Sequence, residues 1–200
     1  MLGVPPRLPD AWIADDLDRD VALVALSRAD LPRIGSWLAH PHVARWWGPR
    51  DKALSEIADH LDSAIVAPFL ALADRQPVGY LQIYHANSDR FWAARELPFE
   101  TFGADLFIGD VTALGNGLGP RFLQLVIRHL LRRPEIVRIQ IDPDPDNRAA
   151  IRAYEKAGFR RVGRIDTPDG PALYMVVERP APAPAEVSSW PSAAAGSGRS

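Results

Sequence analysis

The sequence predicts one mixed α/β domain, in which helices flank a central sheet of about seven strands. Apolar runs typical of strands alternate along the chain with segments whose apolar residues recur at helical spacing. Their order, β-α-α-β-β-β-α-β-α-β-β, starts with an antiparallel meander and ends with strands around crossover helices. The chain of 200 residues has the length of one such domain with short ends.

The first half of the chain supplies the meander. Asp30 is predicted to cap a helix that has Pro32 in its first turn. A polar and aromatic stretch at 87–102 separates the hairpin strands from the strand after them. The predicted strands are 21–26, 69–74, 78–84 and 105–108, and a second helix is predicted at 53–65.

The second half is more regular. Gly119 and Pro120 are predicted to open a long helix that stops before Pro134. Asp146 is predicted to cap the next helix, and Gly158 stands where a left-handed cap ends it. Strands are predicted at 136–141, 161–165 and 172–178, with a Thr-Pro-Asp-Gly turn at 167–170 between the last two.

Composition excludes several classes of protein. The 23 Lys and Arg against 25 Asp and Glu give a net charge of −2, so we expect no nucleic-acid partner and no membrane surface. There is no cysteine, which excludes disulfides, thiolate zinc sites and cysteine nucleophiles. The five histidines show no metal-ligand spacing, so no metal is expected. No signal peptide or membrane span is evident, and a cytoplasmic location is predicted.

Both ends of the chain differ in composition from the middle. Residues 1–18, rich in Pro and Asp, are predicted to form a loosely ordered lead-in held by Trp12 and Ile13. Residues 180–200 are mostly Pro, Ala, Ser and Gly and are predicted to be a disordered tail. The predicted domain is 19–179.

A glycine-rich turn precedes the long helix. Residues 114–120 read Leu-Gly-Asn-Gly-Leu-Gly-Pro, which can turn tightly and present successive N–H groups beside the positive end of the helix dipole. Such a turn favours a diphosphate, although many glycine-rich turns serve packing only. No Lys-Ser/Thr pair follows, so it is not a Walker motif, and its late position argues against a dinucleotide fingerprint.

The segment at 142–159 adds a more specific pattern. Asn147-Arg-Ala-Ala followed by Tyr154-Glu-Lys-Ala-Gly-Phe159 resembles the closing motif of the GNAT superfamily of N-acetyltransferases, which follows a Gly-x-Gly turn by one strand. Further segments resemble aminoglycoside 6′-N-acetyltransferases over about residues 20–179. These segments are His42-Val-Ala-Arg-Trp-Trp-Gly48, Pro77-Val-Gly-Tyr-Leu-Gln82, Gly103-Ala-Asp-Leu-Phe-Ile-Gly109, the turn at 114–119, and 167–176.

The resemblance implies acetyl-CoA as co-substrate and direct attack of an amine on its thioester. It assigns Asp105 to the amine, first as an electrostatic anchor and second as a base, and Tyr154 as the acid for the departing thiolate. The same side chains also fit simpler roles, namely a solvated strand end for Asp105, core packing for Tyr154 and a helix cap for Asn147. The residues assigned to the cofactor are Leu106, Phe107, Ile108, Gly109, Gly115, Asn116, Gly117, Leu118, Gly119 and Asn147.

Acidic and aromatic residues are the candidates for a polycationic acceptor. Between 87 and 110 there are five carboxylates against two arginines. Asp142 and Asp169 match positions that are acidic in similar enzymes, and the tryptophans offer flat walls or core packing. The predicted acceptor-binding residues are Trp46, Trp47, Tyr80, Trp92, Glu96, Glu100, Asp105, Asp142 and Asp169.

Two departures from the family pattern concern the substrate. The loop before Asp105 is less acidic than usual, and Leu106 stands where a glutamine is common. A sister group that acylates siderophore precursors has histidine in place of Asp105, which argues against that activity but leaves it as the alternative. The sequence is also compatible with acylation of another small polyamine, with a non-catalytic acyl-CoA-binding module and with a protein N-acetyltransferase.

Overall fold

The structure is a computed structural model that describes residues 11–12, 21–98 and 100–179. The strands are β1 Ala11–Trp12, β2 Val21–Ala25, β3 Val66–Ala73, β4 Gln76–His85, β5 Thr101–Ile108, β6 Arg138–Ile141, β7 Arg160–Thr167 and β8 Gly170–Glu178. The helices are α1 Leu31–Leu38, α2 Pro41–Trp47, α3 Arg50–His60, α4 Arg90–Ala93, α5 Leu118–Leu131 and α6 Arg148–Ala157. Short 3₁₀ turns lie at Arg28–Asp30, Ala86–Ser88 and Val111–Ala113.

The strands form one mixed sheet in the order β1-β2-β3-β4-β5-β6-β8-β7. Neighbouring strands are antiparallel except β5 and β6, which are parallel and are connected through α5. The predicted mixed sheet of about seven strands is therefore confirmed, with the two-residue β1 as an additional edge. Because β1 pairs with β2, part of the predicted lead-in belongs to the sheet.

Several predicted boundaries were wrong, and the reasons are local. The Asp30 side chain does not cap α1 but accepts hydrogen bonds from the backbone and hydroxyl of Ser27. Asn147, not Asp146, caps α6, because its side-chain oxygen accepts from the Ala150 N–H. Helix α5 begins one residue earlier than predicted, at Leu118. The predicted helix 53–65 lies at Arg50–His60, β5 begins at Thr101, and α2 and α4 were not predicted.

Alternation along the strands gives the sheet two different faces. On one face, apolar side chains such as Leu81, Ile83 and Phe102 pack against α5 and α6. On the other face, Leu70, Tyr80 and Phe107 pack against α1, α2 and α3. Further along that second face lie Gln82, Tyr84 and Asp105, where α1–α3 no longer cover the sheet with apolar side chains.

Strands β5 and β6 are paired only at their beginnings. The pairs are Thr101 with Arg138, Phe102 with Ile139, and Gly103 with Gln140, after which β5 continues to Ile108 beside β4 alone. Beyond Gly103 the two parallel strands therefore diverge, and β5 has an open edge inside the sheet. An open edge presents backbone N–H and C=O groups that can pair with an extended ligand.

Two glycines of β5 and its end allow close packing. A Cβ on Gly103 would lie 1.9 Å from Cζ of Tyr84, and one on Gly109 would lie 2.2 Å from ring atoms of Trp37. The Gly109 N–H donates to the Val78 carbonyl, and its own carbonyl is hydrogen-bonded to His40 Nδ1. Gly109 is therefore held by close packing and by these two bonds, and its role in binding the cofactor stays a prediction.

The predicted tail at 180–200, residues 1–10 and 13–18 of the predicted lead-in, and residues 19–20 lie outside the described residues. Within 11–12, 21–98 and 100–179, no helix is long and apolar enough to cross a membrane.

We expect Gly103→Ala to destabilise the domain by about 1–3 kcal/mol, because the added methyl group must displace the buried Tyr84 ring. Gly163→Ala on β7 is the matched control, since nothing lies within 4 Å of a Cβ there. The measurement is the free energy of unfolding in urea. Equal stability of the two variants would contradict this account of Gly103.

Candidate active site

The site begins with polar side chains at alternate positions of β4. Tyr80, Gln82 and Tyr84 project from the same face, because side chains along a strand alternate between its faces. Gln82 lies directly opposite Asp105 of β5, and Tyr84 lies opposite Gly103. Across the diverging strands, Gln140 of β6 and Asp142, which directly follows β6, continue this face, so six polar groups lie around one region, called the hollow below.

Asp105 is held by a short network. Gln82 Nε2 donates to Asp105 Oδ2 at 2.8 Å, and Gln82 Oε1 accepts from the Tyr80 hydroxyl at 2.7 Å. Burial raises the pKa of the Asp105 carboxyl, while the Gln82 hydrogen bond and the charge of His60 oppose that rise. Asp169 and Asp89 raise this pKa further by repulsion.

Asp142 is the second carboxylate of the hollow. Burial, followed by repulsion from Asp105 and Asp169, raises the pKa of Asp142 to about 8. Arg95 opposes this shift by its positive charge. Two half-buried carboxyl groups with raised pKa values form a place where a positive charge from a ligand is stabilised.

Helix α3 forms a wall of this hollow. Lys52, Glu56 and His60 are spaced by four residues and share one side of the helix. Lys52 Nζ lies 3.9 Å from Asp169 Oδ1 at the tip of the β7–β8 hairpin, and 3.6 Å from Glu56 Oε1. His60 Nδ1 lies 3.0 Å from Gln82 Oε1. The wall therefore joins the hairpin tip to the Asp105 network.

Tyr154 reaches the same region from the other side of the sheet. It lies on α6 in the core cluster with α5, and 7% of its surface is exposed. Burial, then the charges of Asp105 and Asp142, raise the pKa of its hydroxyl, which therefore keeps its proton over the physiological range. Among the described residues the hydroxyl has no hydrogen-bond partner, so it is available to a ligand.

The open edge of β5 and the glycine-rich turn lie together. Gly109 donates to Val78, so the alternation of an antiparallel pair directs the backbone groups of Ala104, Leu106 and Ile108 away from β4. Gly119 stands between Leu106 and Ala153 of α6, with a Cβ position 3.9 Å from each. The turn thus begins α5 beside the diverging strands.

The turn itself has the predicted conformation. Gly115 and Gly117 have φ values of 76° and 73°, which glycine adopts without strain. The Asn116 side chain donates to the Thr112 carbonyl and stiffens the turn. Residues 114–117 are exposed, and the first N–H groups of α5 have no partner within the helix.

Several predicted site residues lie elsewhere or act indirectly. Tyr80 has no exposed surface and stacks on Phe107 at 5.4 Å, so its side chain does not contact a ligand directly and instead holds Gln82. Trp92 is 5% exposed and stacks on Tyr174, with ring centroids 5.5 Å apart, and both residues line a cavity of about 250 Å³. Burial therefore corrects the predicted contact of the Tyr80 side chain, whereas Trp92 stays a predicted acceptor residue.

The two glutamates of the aromatic stretch do not join the hollow. Glu100 is 7% exposed and lies immediately before β5. Its Oε2 atom is 3.8 Å from Nε2 of the buried His85. Glu96 is exposed in the loop after α4. Both residues have positive φ values, 47° for Glu96 and 57° for Glu100, so the backbone of this loop is not extended at either position.

The tryptophans of α2 differ from each other. Trp47 packs edge-on against Tyr80 and Phe107, with ring centroids 5.7 and 5.0 Å away. Trp46 is half-buried beneath the Arg45 guanidinium, at 4.6 Å from the ring centroid. Trp47 therefore belongs mainly to the core, and Trp46 retains an exposed part.

Sequence reasoning missed five groups of the hollow: His60, Gln82, Tyr84, Gln140 and Tyr174. Tyr174 donates its hydroxyl to Gln140 Oε1 at 2.9 Å. The signal that identifies Gln82 and Tyr84 is the period of two along β4, with polar groups on one face and Leu81 and Ile83 on the other. Within the described parts of the chain, no three His, Asp or Glu side chains are arranged to hold a metal ion.

A sheet opened between two parallel strands, with a glycine-rich helix start on one side and a tyrosine on the neighbouring helix, defines an acetyltransferase of the GNAT class. The family described as "Acetyltransferase (GNAT) domain" matches residues 27–167. The chain belongs to this family, and within it to the aminoglycoside 6′-N-acetyltransferases.

The similar proteins include aminoglycoside acetyltransferases and a lysine acyltransferase. Aminoglycoside N(6′)-acetyltransferase type 1 of Klebsiella pneumoniae is 37% identical over 179 residues, which cover 84% of this chain and 88% of the relative. The crystal structure of aminoglycoside acetyltransferase AAC(6′)-Ib in complex with coenzyme A and kanamycin is similar with a TM-score of 0.70 and 36% identity, covering 80% of this chain and 95% of that one. Lysine N-acyltransferase MbtK of Mycolicibacterium paratuberculosis is 28% identical over 158 residues, 76% of this chain and 70% of the relative.

We expect Asp142→Asn to stabilise the ligand-free protein at pH 8. The native state keeps a proton on Asp142 that the unfolded chain releases, so the free energy of unfolding decreases between about pH 4 and pH 8. The variant removes that decrease and should exceed the wild type by about 1–3 kcal/mol at pH 8, and by little at pH 4. Urea unfolding at both pH values measures this.

Asp166→Asn, an exposed site on β7, is the control for removal of one negative charge. A constant difference between Asp142→Asn and the wild type over this pH range would contradict the prediction.

Proposed function

We propose that this protein transfers the acetyl group of acetyl-CoA to the 6′-amine of an aminoglycoside or a related amino sugar. The observation that carries the acceptor is the hollow around Asp105 and Asp142, where burial, with repulsion between the carboxyl groups, raises the pKa of both. A polycationic amine supplies positive charge where these groups need it. The relatives named for aminoglycoside acetylation support this choice.

On the acceptor side, Asp105 has two tasks in sequence. As a carboxylate it attracts the ammonium group of the acceptor and fixes it beside the open edge of β5. An ammonium cannot attack a carbonyl, so it must lose a proton first. Burial raises the pKa of Asp105 and makes this carboxylate a better proton acceptor than an exposed aspartate, directly or through water.

On the cofactor side, we assign the extended arm of acetyl-CoA to the backbone edge at Ala104, Leu106 and Ile108. The diphosphate is assigned to the N–H groups of the turn at 115–119, where the α5 dipole favours negative charge. Pro120 lies within the first turn of α5, so its missing N–H removes one donor and leaves the others.

Between the two sides, the amine nitrogen forms a bond to the thioester carbonyl carbon and the carbon–sulfur bond breaks. The first proton, which Asp105 took from the ammonium, has by then passed to solvent, and the second proton, which the nitrogen loses as the new bond forms, passes to the departing sulfur. Tyr154 donates a hydrogen bond to the departing sulfur, and because its pKa is raised, it stabilises the developing thiolate chiefly by this bond. The products are an acetamide and coenzyme A.

We expect Asp105→Asn to lower kcat/KM for kanamycin at least about 100-fold, because the anchor and the proton acceptor are lost together. Tyr154→Phe should lower kcat about 10- to 100-fold. Both variants should bind acetyl-CoA as the wild type does. Thiol release measures turnover, and isothermal titration measures binding of the cofactor.

Asp74→Asn is the matched control, because it removes a carboxylate in the β3–β4 turn, where φ is 47° and asparagine is tolerated. Equal turnover in the wild type and both site variants would contradict the roles given to Asp105 and Tyr154, and no turnover in the wild type with tight binding of acetyl-CoA would favour a non-catalytic acyl-CoA-binding module. The acceptor panel is kanamycin, an aminoglycoside without a 6′-amine, a hydroxylysine-type siderophore precursor and a basic peptide. If only the siderophore precursor is turned over, the acceptor is that precursor and not an aminoglycoside. The similarity to MbtK would favour this outcome.

Asn147 caps α6 and is also proposed to bind the cofactor, and these two roles can be separated by mutation. Asn147→Ser keeps a good cap for α6 but removes the amide donor proposed for the cofactor. Its free energy of unfolding should stay within about 0.5 kcal/mol of the wild type, while the Kd for acetyl-CoA rises about threefold or more. Asn147→Ala, which loses cap and donor, should cost about 1 kcal/mol of stability in addition. An unchanged Kd in the serine variant would restrict Asn147 to capping.

The extent and location of the functional unit are also proposals. We propose that residues 19–179 contain all groups of the site, together with the edge strand at Ala11–Trp12, and that the protein acts in the cytoplasm, where acetyl-CoA is available.

A further inference from the structure

His60 is a histidine that the proposed reaction does not use, and it contacts the site through a single amide. It is the last residue of α3 and half-buried. Its Nδ1 atom lies 3.0 Å from Oε1 of Gln82, whose Nε2 donates to Asp105 Oδ2 at 2.8 Å. His60 and Asp105 therefore bind opposite ends of the same side chain.

The hydrogen bonds define which end of Gln82 is which. An ionised carboxylate only accepts hydrogen bonds, so the amide nitrogen must face Asp105. The amide oxygen then faces two partners, the Tyr80 hydroxyl at 2.7 Å and His60 Nδ1 at 3.0 Å, and both must donate. The ionised form of Asp105 thus requires a proton on Nδ1 of His60.

The surroundings of Asp105 make this support necessary. Asp169 at the hairpin tip and Asp89 before α4 disfavour a negative charge on Asp105, and the charges of Asp105 and Asp142 repel each other. The hydroxyls of Tyr80, Tyr84 and Tyr154 also face this charge and remain neutral because their pKa values are raised. Gln82 and His60 are the groups that favour the carboxylate.

We propose that His60 is a positioning residue that, through the Gln82 amide, fixes the Asp105 carboxylate in the orientation that receives the acceptor's ammonium group. The inference rests on the proposed function for its kinetic consequence. The link between His60 and Asp105 does not depend on the proposed function. Helix α3 carries His60, so this helix connects the position of the acceptor wall with the state of the carboxylate.

The experiment compares His60→Leu, which removes the donor and the charge, with His60→Asn, which retains a neutral donor near the position of Nδ1. For the full-length protein, kcat and KM for kanamycin are measured from pH 5.5 to 9. In His60→Leu we expect KM to rise about tenfold, with unchanged affinity for acetyl-CoA. We also expect the acid limb of kcat/KM to move to higher pH by about half a unit or more.

His60→Asn should restore most of KM at pH 8, while its acid limb remains displaced. His129→Leu on α5, the same exchange on the opposite face of the sheet, controls for loss of a helical histidine. A pH profile of His60→Leu that superimposes on the wild type would overturn the proposal. So would an equal loss in both His60 variants accompanied by a lower melting temperature, which indicates structural damage only.

A second readout separates this proposal from the proposed function. If the wild type acetylates no aminoglycoside, the proposed function fails, and the carboxyl ¹³C shift of Asp105 is titrated instead in wild type and His60→Leu. A midpoint that moves to higher pH in the variant supports the link between His60 and Asp105. Identical midpoints refute it.

Discussion

The limited pairing of β5 with β6 is the constraint on which the rest of the structure depends. Three residues of β5 pair with β6, and the following five have a neighbour on one side only. At the point of divergence Tyr84 lies over Gly103 on one face of the sheet, and α5 and α6 pack against the other face. An open backbone edge in the middle of a sheet costs hydrogen bonds that a bound ligand restores.

Charge imposes a second cost at the same place. Asp105 and Asp142 share one hollow, and burial with mutual repulsion raises both pKa values. The ligand-free protein therefore holds a destabilised group of carboxyls, and a polycation relieves this destabilisation on binding. The ligand-free protein is therefore less stable because its site holds carboxyl groups without a cationic partner. Such a trade between stability and activity is usual for active sites.

The fold was predictable because its signals are periodic and local. Alternation along the strands, the helix spacing of α5, and Gly158 with its φ of 112° all appear in the sequence itself. Helix α4 has only four residues, and α2 has no side-chain cap, so neither produces a clear signal.

The site was only partly predictable, because the direction in which a side chain points depends on strand register and loop geometry. The count of acids between 87 and 110 could not show that Glu100 turns toward His85. Gln82 acts through Asp105, which lies 23 positions away in sequence, and the two residues meet only because of the β4–β5 pairing. Asp105 and Tyr154 were named from the family resemblance, and their surroundings came only from the folded structure.

The alternation along β4 and β5 also bears on how such an enzyme changes over evolutionary time. Gln82 and Tyr84 lie on the face of the hollow, whereas Leu81 and Ile83 beside them belong to the core under α5 and α6. Substitutions at the first pair alter the chemistry presented to an acceptor without touching the packing that holds the cofactor side together. A lineage built on this sheet can therefore acquire new amine substrates one strand position at a time, while the acetyl donor stays the same.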